Sequence, residues 1–230
     1  MRNYKVKDKS ERVLSCLRLL SGLTTHILSG IFIVLIWYVS APGSSLFSWH
    51  PVTMSLGFGL FMIEAILIFS PESSLLAVAS RKNKVKAHWI FQSLSLVFAW
   101  TGFLVIIVNK NYNQKPHFKT WHGTLGLITI MYITLQAVCG IFLLYPTMAK
   151  RWNWKLIQLK VYHATLGLVG FILAYTTMIT SLYSNFMAKN AGDGFLWWLC
   201  LLALVWSLFF VMNQVSNTYN YYVSRSTVSL

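Results

Sequence analysis

The sequence predicts an all-α membrane protein, a polytopic bundle of six transmembrane helices, and three observations predict it. Of 230 residues, 56% are hydrophobic and only 10% are charged, whereas a soluble domain carries about a quarter charged residues. Six stretches run almost without charge for about 20 residues each, the length that crosses the hydrocarbon core of a bilayer. Lysines and arginines fall unevenly into alternate connections, as they do in membrane proteins.

The first span, roughly Leu19–Val39, follows a basic stretch and ends on "VSA", the outline of a signal peptide. Its apolar run of about 20 residues exceeds the 7–15 of a signal h-region, so it reads as a retained span. The second, Trp49–Phe69, opens on "SWHPVTM". The third, His88–Val108, follows a loop carrying Arg81, Lys82, Lys84 and Lys86. The fourth and fifth, Trp121–Tyr145 and Val161–Tyr183, open on "TWHGTLGL" and "KVYHATLGL". The sixth, Phe195–Val215, closes on the interfacial polar residues Asn213, Gln214 and Asn217. With short connections, the organisation reads as a basic tail (1–18), one six-helix domain (19–215) and a second tail (216–230).

The net charge of +14 invites a nucleic-acid partner, but its distribution speaks against one. Fifteen of the nineteen basic residues fall in the N-terminal tail, the loops between spans 2 and 3 and spans 4 and 5, and the C-terminal tail. The other four are Lys110, Lys115, Lys119 and Lys189. The positive-inside rule then places both termini in the cytosol. The charge describes topology and the lipid bilayer, with no nucleic acid. Cys16, Cys139 and Cys200 form no disulfide framework. Cys16, just before the first span, could accept a palmitoyl chain, although an inert thiol explains it as well.

The histidines carry the functional signal. His50, His88, His122 and His163 open spans 2, 3, 4 and 5 at intervals of 38, 34 and 41 residues. Spans 2 and 4 start on the non-cytoplasmic side, spans 3 and 5 on the cytoplasmic side. Alternate helices of a four-helix bundle face each other across its core. The sequence therefore predicts two facing imidazole pairs, His50 with His122 and His88 with His163, one near each membrane surface. Two imidazoles make a poor zinc site, which needs four ligands or three plus water. They suffice as axial ligands of a haem, and iron held from both faces favours electron transfer over oxygen chemistry. Gly57, Gly59, Gly123, Gly126, Gly167 and Gly170 fit a flat macrocycle between helices, or else serve helix packing. The fold expected is thus a six-helix protein whose central four-helix bundle holds two haems. Two haems divide a bilayer of about 30 Å into short electron-transfer steps. Two other classes stay open: a haem-free histidine relay for protons or metal, and a haem-bearing anchor for a soluble dehydrogenase.

The segments "SWHPVTM", "AHWIFQ", "TWHGTLGL" and "KVYHATLGL", at those intervals in six spans, resemble the cytochrome b561 family, especially its short members. The likeness covers nearly the whole chain. It implies two haem b groups, with iron held by His50 and His122 on the non-cytoplasmic side and by His88 and His163 on the cytoplasmic side. It also implies cytosolic ascorbate as donor, monodehydroascorbate or a ferric chelate as acceptor, an endomembrane location and room for a homodimer. No side chain is assigned a catalytic step. Two departures stand out. The serine-leucine-histidine-serine-tryptophan motif of better-known members is replaced by "FKTWHG". Their cytosolic lysine five residues before the third-span histidine is here Asn83, with Lys84 and Lys86 out of register.

Substrate contacts are expected at Lys84, Lys86 and Arg151 for the donor, and at His117 for iron or protons on the far side. His26 reads as an interhelical hydrogen-bonding residue. Glu64, fourteen residues past His50, would lie about 40° around a regular helix from it and about 21 Å further along. That position suits either a proton acceptor at the level of the cytoplasmic haem or a hydrogen-bond partner.

Overall fold

The computed structural model describes residues 9–192 and 194–228, with side chains as far as residue 217. Among them, six helices are long and apolar enough to cross a membrane: α1 (Lys9–Ser40), α2 (Trp49–Leu67), α3 (Arg81–Tyr112), α4 (Trp121–Leu144), α5 (Leu156–Ser181) and α6 (Phe195–Val228). The described residues contain no strand. The protein is an all-α, multi-pass membrane protein. Arg2, Lys5, Lys7 and the side chain of Arg225, counted in the charge argument, lie outside what is described.

The helices outrun the apolar spans at several ends, because hydrophobicity sets where a helix is buried and capping sets where it starts. The hydroxyl of Ser80 accepts from the Asn83 amide at 3.3 Å, so α3 starts seven residues before His88. Thr120 caps α4 in the same way, accepting from Gly123 N at 3.2 Å. A side-chain oxygen at this position satisfies one of the first-turn amides that no helix can pair internally. Short helices at Pro146–Arg151 and Asn185–Asn190 occupy two of the connections.

Helix α2 is not regular. Residues Ser55–Met62 form a π-helical turn that holds Gly57 and Gly59. A Cβ on Gly57 would lie 3.1 Å from the Ser95 carbonyl and 3.2 Å from the Ala99 amide of α3. One on Gly59 would lie 3.3 Å from the Phe32 ring of α1. The two glycines let α2 fit between its neighbours on two sides. Of the two readings of these glycines, helix packing is the one these contacts support: Gly57 admits the α3 backbone and Gly59 the Phe32 ring. Gly167 and Gly170 do the same against Gln136 and Tyr132 of α4, and Gly123 lies against its own cap residue Thr120.

Neighbours in sequence are neighbours in space. α1 packs on α2, α2 on α3, α4 on α5, α5 on α6, and α6 returns to α1. The main apolar core lies among α1, α2, α5 and α6, with Phe32, Phe58, Ile63, Phe171, Tyr175 and Leu204 at its centre. The outward faces expose Val34, Val97, Leu104, Met131 and Leu135, as lipid contact requires. The diagonal pairs, α2 with α4 and α3 with α5, are not among the closely packed helix pairs. The histidines meet across these diagonals in two separate pairs.

Candidate functional site

Each of the helices α2 to α5 carries one histidine near its start and, fourteen or fifteen residues later, a group that holds a neighbour's histidine. The arrangement is reciprocal within two antiparallel pairs. His50 of α2 donates Nδ1–H to the carbonyl of Gly102 on α3 at 2.9 Å. His88 of α3 donates to the carbonyl of Ala65 on α2 at 2.8 Å. His122 of α4 donates to Thr177 O on α5 at 3.0 Å. His163 of α5 sets its Nδ1 3.0 Å from the side-chain Nε2 of Gln136 on α4. In His50, His88 and His122 the Nδ1–H is used by a carbonyl, so Nε2 is the nitrogen with a lone pair that these rings can present to something else.

The rings meet across the diagonals. His50 and His122 have centroids 6.1 Å apart with planes at 76°. His88 and His163 have centroids 6.3 Å apart at 79°. All four are partly buried. Among the described residues, no group of three or more His, Cys, Asp or Glu comes together to hold a metal ion. The first ring pair lies at the Trp49 end of α2. The second lies by Ala65; on the regular helix α3, fourteen residues separate His88 from the Gly102 carbonyl that holds His50, about 21 Å at 1.5 Å per residue.

The sequence model for eukaryotic cytochrome b561 matches residues 49–189, which contain all four histidines. This chain belongs to the cytochrome b561 family. It is 41% identical to the transmembrane reductase CYB561D2 of Bos taurus over 93% of this chain and 95% of that protein. It is 38% identical to the probable transmembrane reductase CYB561D1 of Homo sapiens over 90% of each. The lysosomal membrane ascorbate-dependent ferrireductase CYB561A3 of Mus musculus matches at 26%, over 64% of this chain and 60% of that one. Cytochrome b561 proteins are haem-binding, and these relatives are named as reductases, so the chain is a membrane oxidoreductase.

Within this cytochrome b561 fold, the other residues singled out from the sequence are dispersed. Lys84 is half-buried in the first turn of α3, and Lys86 is exposed one step on. Arg151 is exposed at the end of the short helix Pro146–Arg151. These three share the end of the bundle that holds His88 and His163. His117 sits in the α3–α4 loop, where its Nε2–H donates to Asn111 Oδ1 at 2.7 Å and its ring lies against Phe118. Glu64 does not face the ring pairs. The π turn breaks the 100° register on which that expectation rested, and the carboxylate turns to α1, where it meets His26 Nδ1 at 2.6 Å.

Two residues escaped the sequence reading. Lys110, counted only for topology, lies within electrostatic reach of His50 and His122 and donates from Nζ to Pro116 O at 3.0 Å. Its place in the last turn of α3, close to the start of α4, was the available signal. Gln136, an uncharged polar residue inside a span, contacts His163. An uncommon polar side chain at membrane depth was its signal.

Proposed function

We propose that the protein moves electrons across a membrane from cytosolic ascorbate to monodehydroascorbate or a ferric chelate, using two b-type haems. In this reading His50 and His122 hold the iron on the non-cytoplasmic side, and His88 with His163 holds it on the cytoplasmic side. The observation that carries it is the spacing of the ring pairs. An iron ion bound between two imidazole nitrogens at about 2 Å each sets the ring centres a little over 6 Å apart. The observed 6.1 and 6.3 Å match. The diagonal helices are not among the closely packed pairs, which suits a macrocycle between them, and carbonyl partners on Nδ1 hold His50, His88 and His122 with Nε2 free for metal. Bis-imidazole haem would supply a one-electron carrier without an open coordination position.

The chain's own residues do the rest. The reciprocal bonds between α2 and α3 and between α4 and α5 fix the rings before any ligand arrives, which lowers the reorganisation that accompanies electron transfer. Lys84, Lys86 and Arg151 gather an anionic donor at one end. Lys110 adds positive charge near the other pair, where an anionic acceptor would approach. Names of relatives support ascorbate: the CYB561A3 protein is called ascorbate-dependent, and the Zea mays relative an ascorbate-specific transmembrane electron transporter. Both termini then lie in the cytosol of an endomembrane.

Visible spectroscopy of the purified full-length protein tests this reading. Two haems per chain and a reduced α-band appearing with ascorbate alone are expected. Absence of haem would leave the histidine relay. Haem that ascorbate alone cannot reduce would favour an anchor for a soluble dehydrogenase.

A further inference from the structure

Each of the helices α2 to α5 joins its own histidine to the group that meets a neighbour's, and three of them do so over the same count of residues. His88 to Gly102 on α3, His122 to Gln136 on α4 and His163 to Thr177 on α5 are each fourteen residues apart. From His50 to Ala65 on α2 the count is fifteen. On a regular helix, fourteen residues at about 100° each fall about 40° short of four full turns, and fifteen pass them by about 60°. The extra residue would carry the Ala65 carbonyl about 100° around α2 from the phase that the other three helices use. That carbonyl nevertheless accepts from His88 Nδ1–H at 2.8 Å.

Between His50 and Ala65 lies Ser55–Met62, the one π-helical segment among the described residues. A π turn closes from i to i+5 and so holds one residue more than an α turn. Fifteen residues that include it can span the angle of fourteen. Neighbours on two sides fix the segment. Gly57 lies against the α3 backbone and Gly59 against Phe32 of α1. In a regular helix the Gly59 carbonyl would receive the amide of residue 63. Here the Ile63 amide bonds to Leu60 O, and the Ser29 hydroxyl of α1 donates to the Gly59 carbonyl. Ile63–Leu67 is α-helical again, with Glu64 turned to His26 of α1 and the Ala65 carbonyl to His88 of α3.

We propose that the π segment is a positioning element that absorbs the extra residue of α2, so that this helix presents His50 at one haem and holds His88 for the other in the same phase as α3, α4 and α5. The proposal rests on reading the four histidines as haem ligands. The group that bonds the far nitrogen of a ligating imidazole sets the orientation of its ring. A slip of phase at Ala65 would therefore turn the His88 ring or leave its Nδ1–H unpaired. Leu60 stands between the residues phased with His50 and those phased with Ala65, and it is only partly buried.

The test changes the residue count in the full-length protein and reads haem per chain together with low-spin electron paramagnetic resonance, whose g values follow the orientation of axial imidazoles. Deleting Leu60 leaves fourteen residues from His50 to Ala65. It is expected to return α2 to a regular helix, with two haems bound and both sets of g values kept. Val97 of α3 is 61% exposed toward lipid and lies between His88 and Gly102. Deleting it leaves thirteen residues there and no π segment to give one up, so no more than one haem per chain is expected. An alanine inserted after Leu60 adds a sixteenth residue to α2 and should cause the same loss. Tolerance of one residue fewer but not of one more is the signature of an absorbed residue. A Leu60 deletion that loses either haem or shifts its g values overturns the proposal, as does one that accumulates as folded protein no better than the Val97 deletion. Both haems with unchanged g values in either of the other two variants overturn it as well. An unaltered protein that binds no haem defeats the ligand reading itself, a result distinct from all of these.

Discussion

His26 and Glu64 share a proton inside the membrane-spanning part of the molecule, with Nδ1 2.6 Å from Oε1. The opposite ring nitrogen settles the chemistry. Nε2 lies 2.9 Å from the Ser73 carbonyl, which can only accept, so Nε2 carries a hydrogen. One further proton then lies between the ring and the carboxylate, as an ion pair or as a neutral pair. The contact ties α1 to α2 and to the loop that follows α2. Both side chains are largely buried, at 13% and 11% exposure.

Removing one partner strands the other in a poorly solvated place, a loss of about 3–5 kcal/mol for a buried pair. His26→Ala is expected to lower the midpoint of thermal unfolding in detergent clearly, while the spectrum of the still-folded protein keeps both haem bands. Glu64→Gln, which retains a polar partner, should cost less. An unchanged unfolding midpoint in His26→Ala would show that the pair does not hold α1 in place.

What the sequence made legible follows from what kind of signal each feature leaves. Six spans are written in hydrophobicity, and the depth of each histidine follows from helix parity, so the rings set at equal depth are the ones that face each other. His26 was legible as an interhelical hydrogen-bonding residue and Glu64 as a hydrogen-bond partner in one of its two readings, but not that they pair, because a π turn leaves no periodic signature in an already apolar run and shifts every residue after it. Backbone carbonyls at Gly102, Ala65 and Thr177 hold three of the rings, and a carbonyl carries no residue identity. Gln136 has one, but its partner on another helix becomes visible only with the register of α4 against α5.

The glycines offer a packing test. A Cβ at Gly57 would press on the α3 backbone, which cannot swing aside as a side chain can. Gly57→Ala is expected to destabilise the α2–α3 pair by about 1–3 kcal/mol, the usual cost of overpacking. Gly30, with nothing within 4 Å of an added Cβ, is the control, and Gly30→Ala should be neutral or stabilising. Equal unfolding midpoints for the two variants would contradict the close approach at Gly57.

The histidines should act in diagonal pairs. His50→Ala and His122→Ala are each expected to remove one and the same haem and leave the other spectrally intact. His88→Ala and His163→Ala should do so for the second. The check is haem stoichiometry together with the reduced spectrum of each variant. If His50→Ala and His88→Ala proved equivalent, the facing rings would not share an iron.

Orientation rests on the fifteen-to-four division of basic residues. Tags at Met1 and Leu230 should both resist protease in sealed vesicles whose cytosolic face is inside, and both be cleaved in vesicles of the opposite orientation. Cleavage in the first preparation would invert donor and acceptor sides.

Where the donor meets the protein is the last expectation. Ascorbate is an anion at neutral pH, and in the proposed function its electron enters at the ring pair of His88 and His163. The start of α3 and the connection into α5 bring Arg81, Lys82, Lys84 and Lys86, and Lys150, Arg151, Lys155 and Lys160, to the same end of the bundle. Most of these suffice to set topology and meet anionic headgroups. Lys84 and Lys86 differ in lying within one helical turn of His88, with Lys84 half-buried against the bundle. A mouth lined by one sign of charge concentrates anions, and salt weakens the effect. Neither side chain is part of the α3 cap, which uses Ser80 and the Asn83 amide. Replacing both with alanine should therefore leave the helix start intact. The Lys84→Ala, Lys86→Ala protein is expected to keep both haems, raise the apparent KM for ascorbate several-fold and flatten the salt dependence of its reduction. Stopped-flow reduction at a series of ionic strengths reads all three. Kinetics identical to the wild type at every salt concentration would return both lysines to a purely topological role.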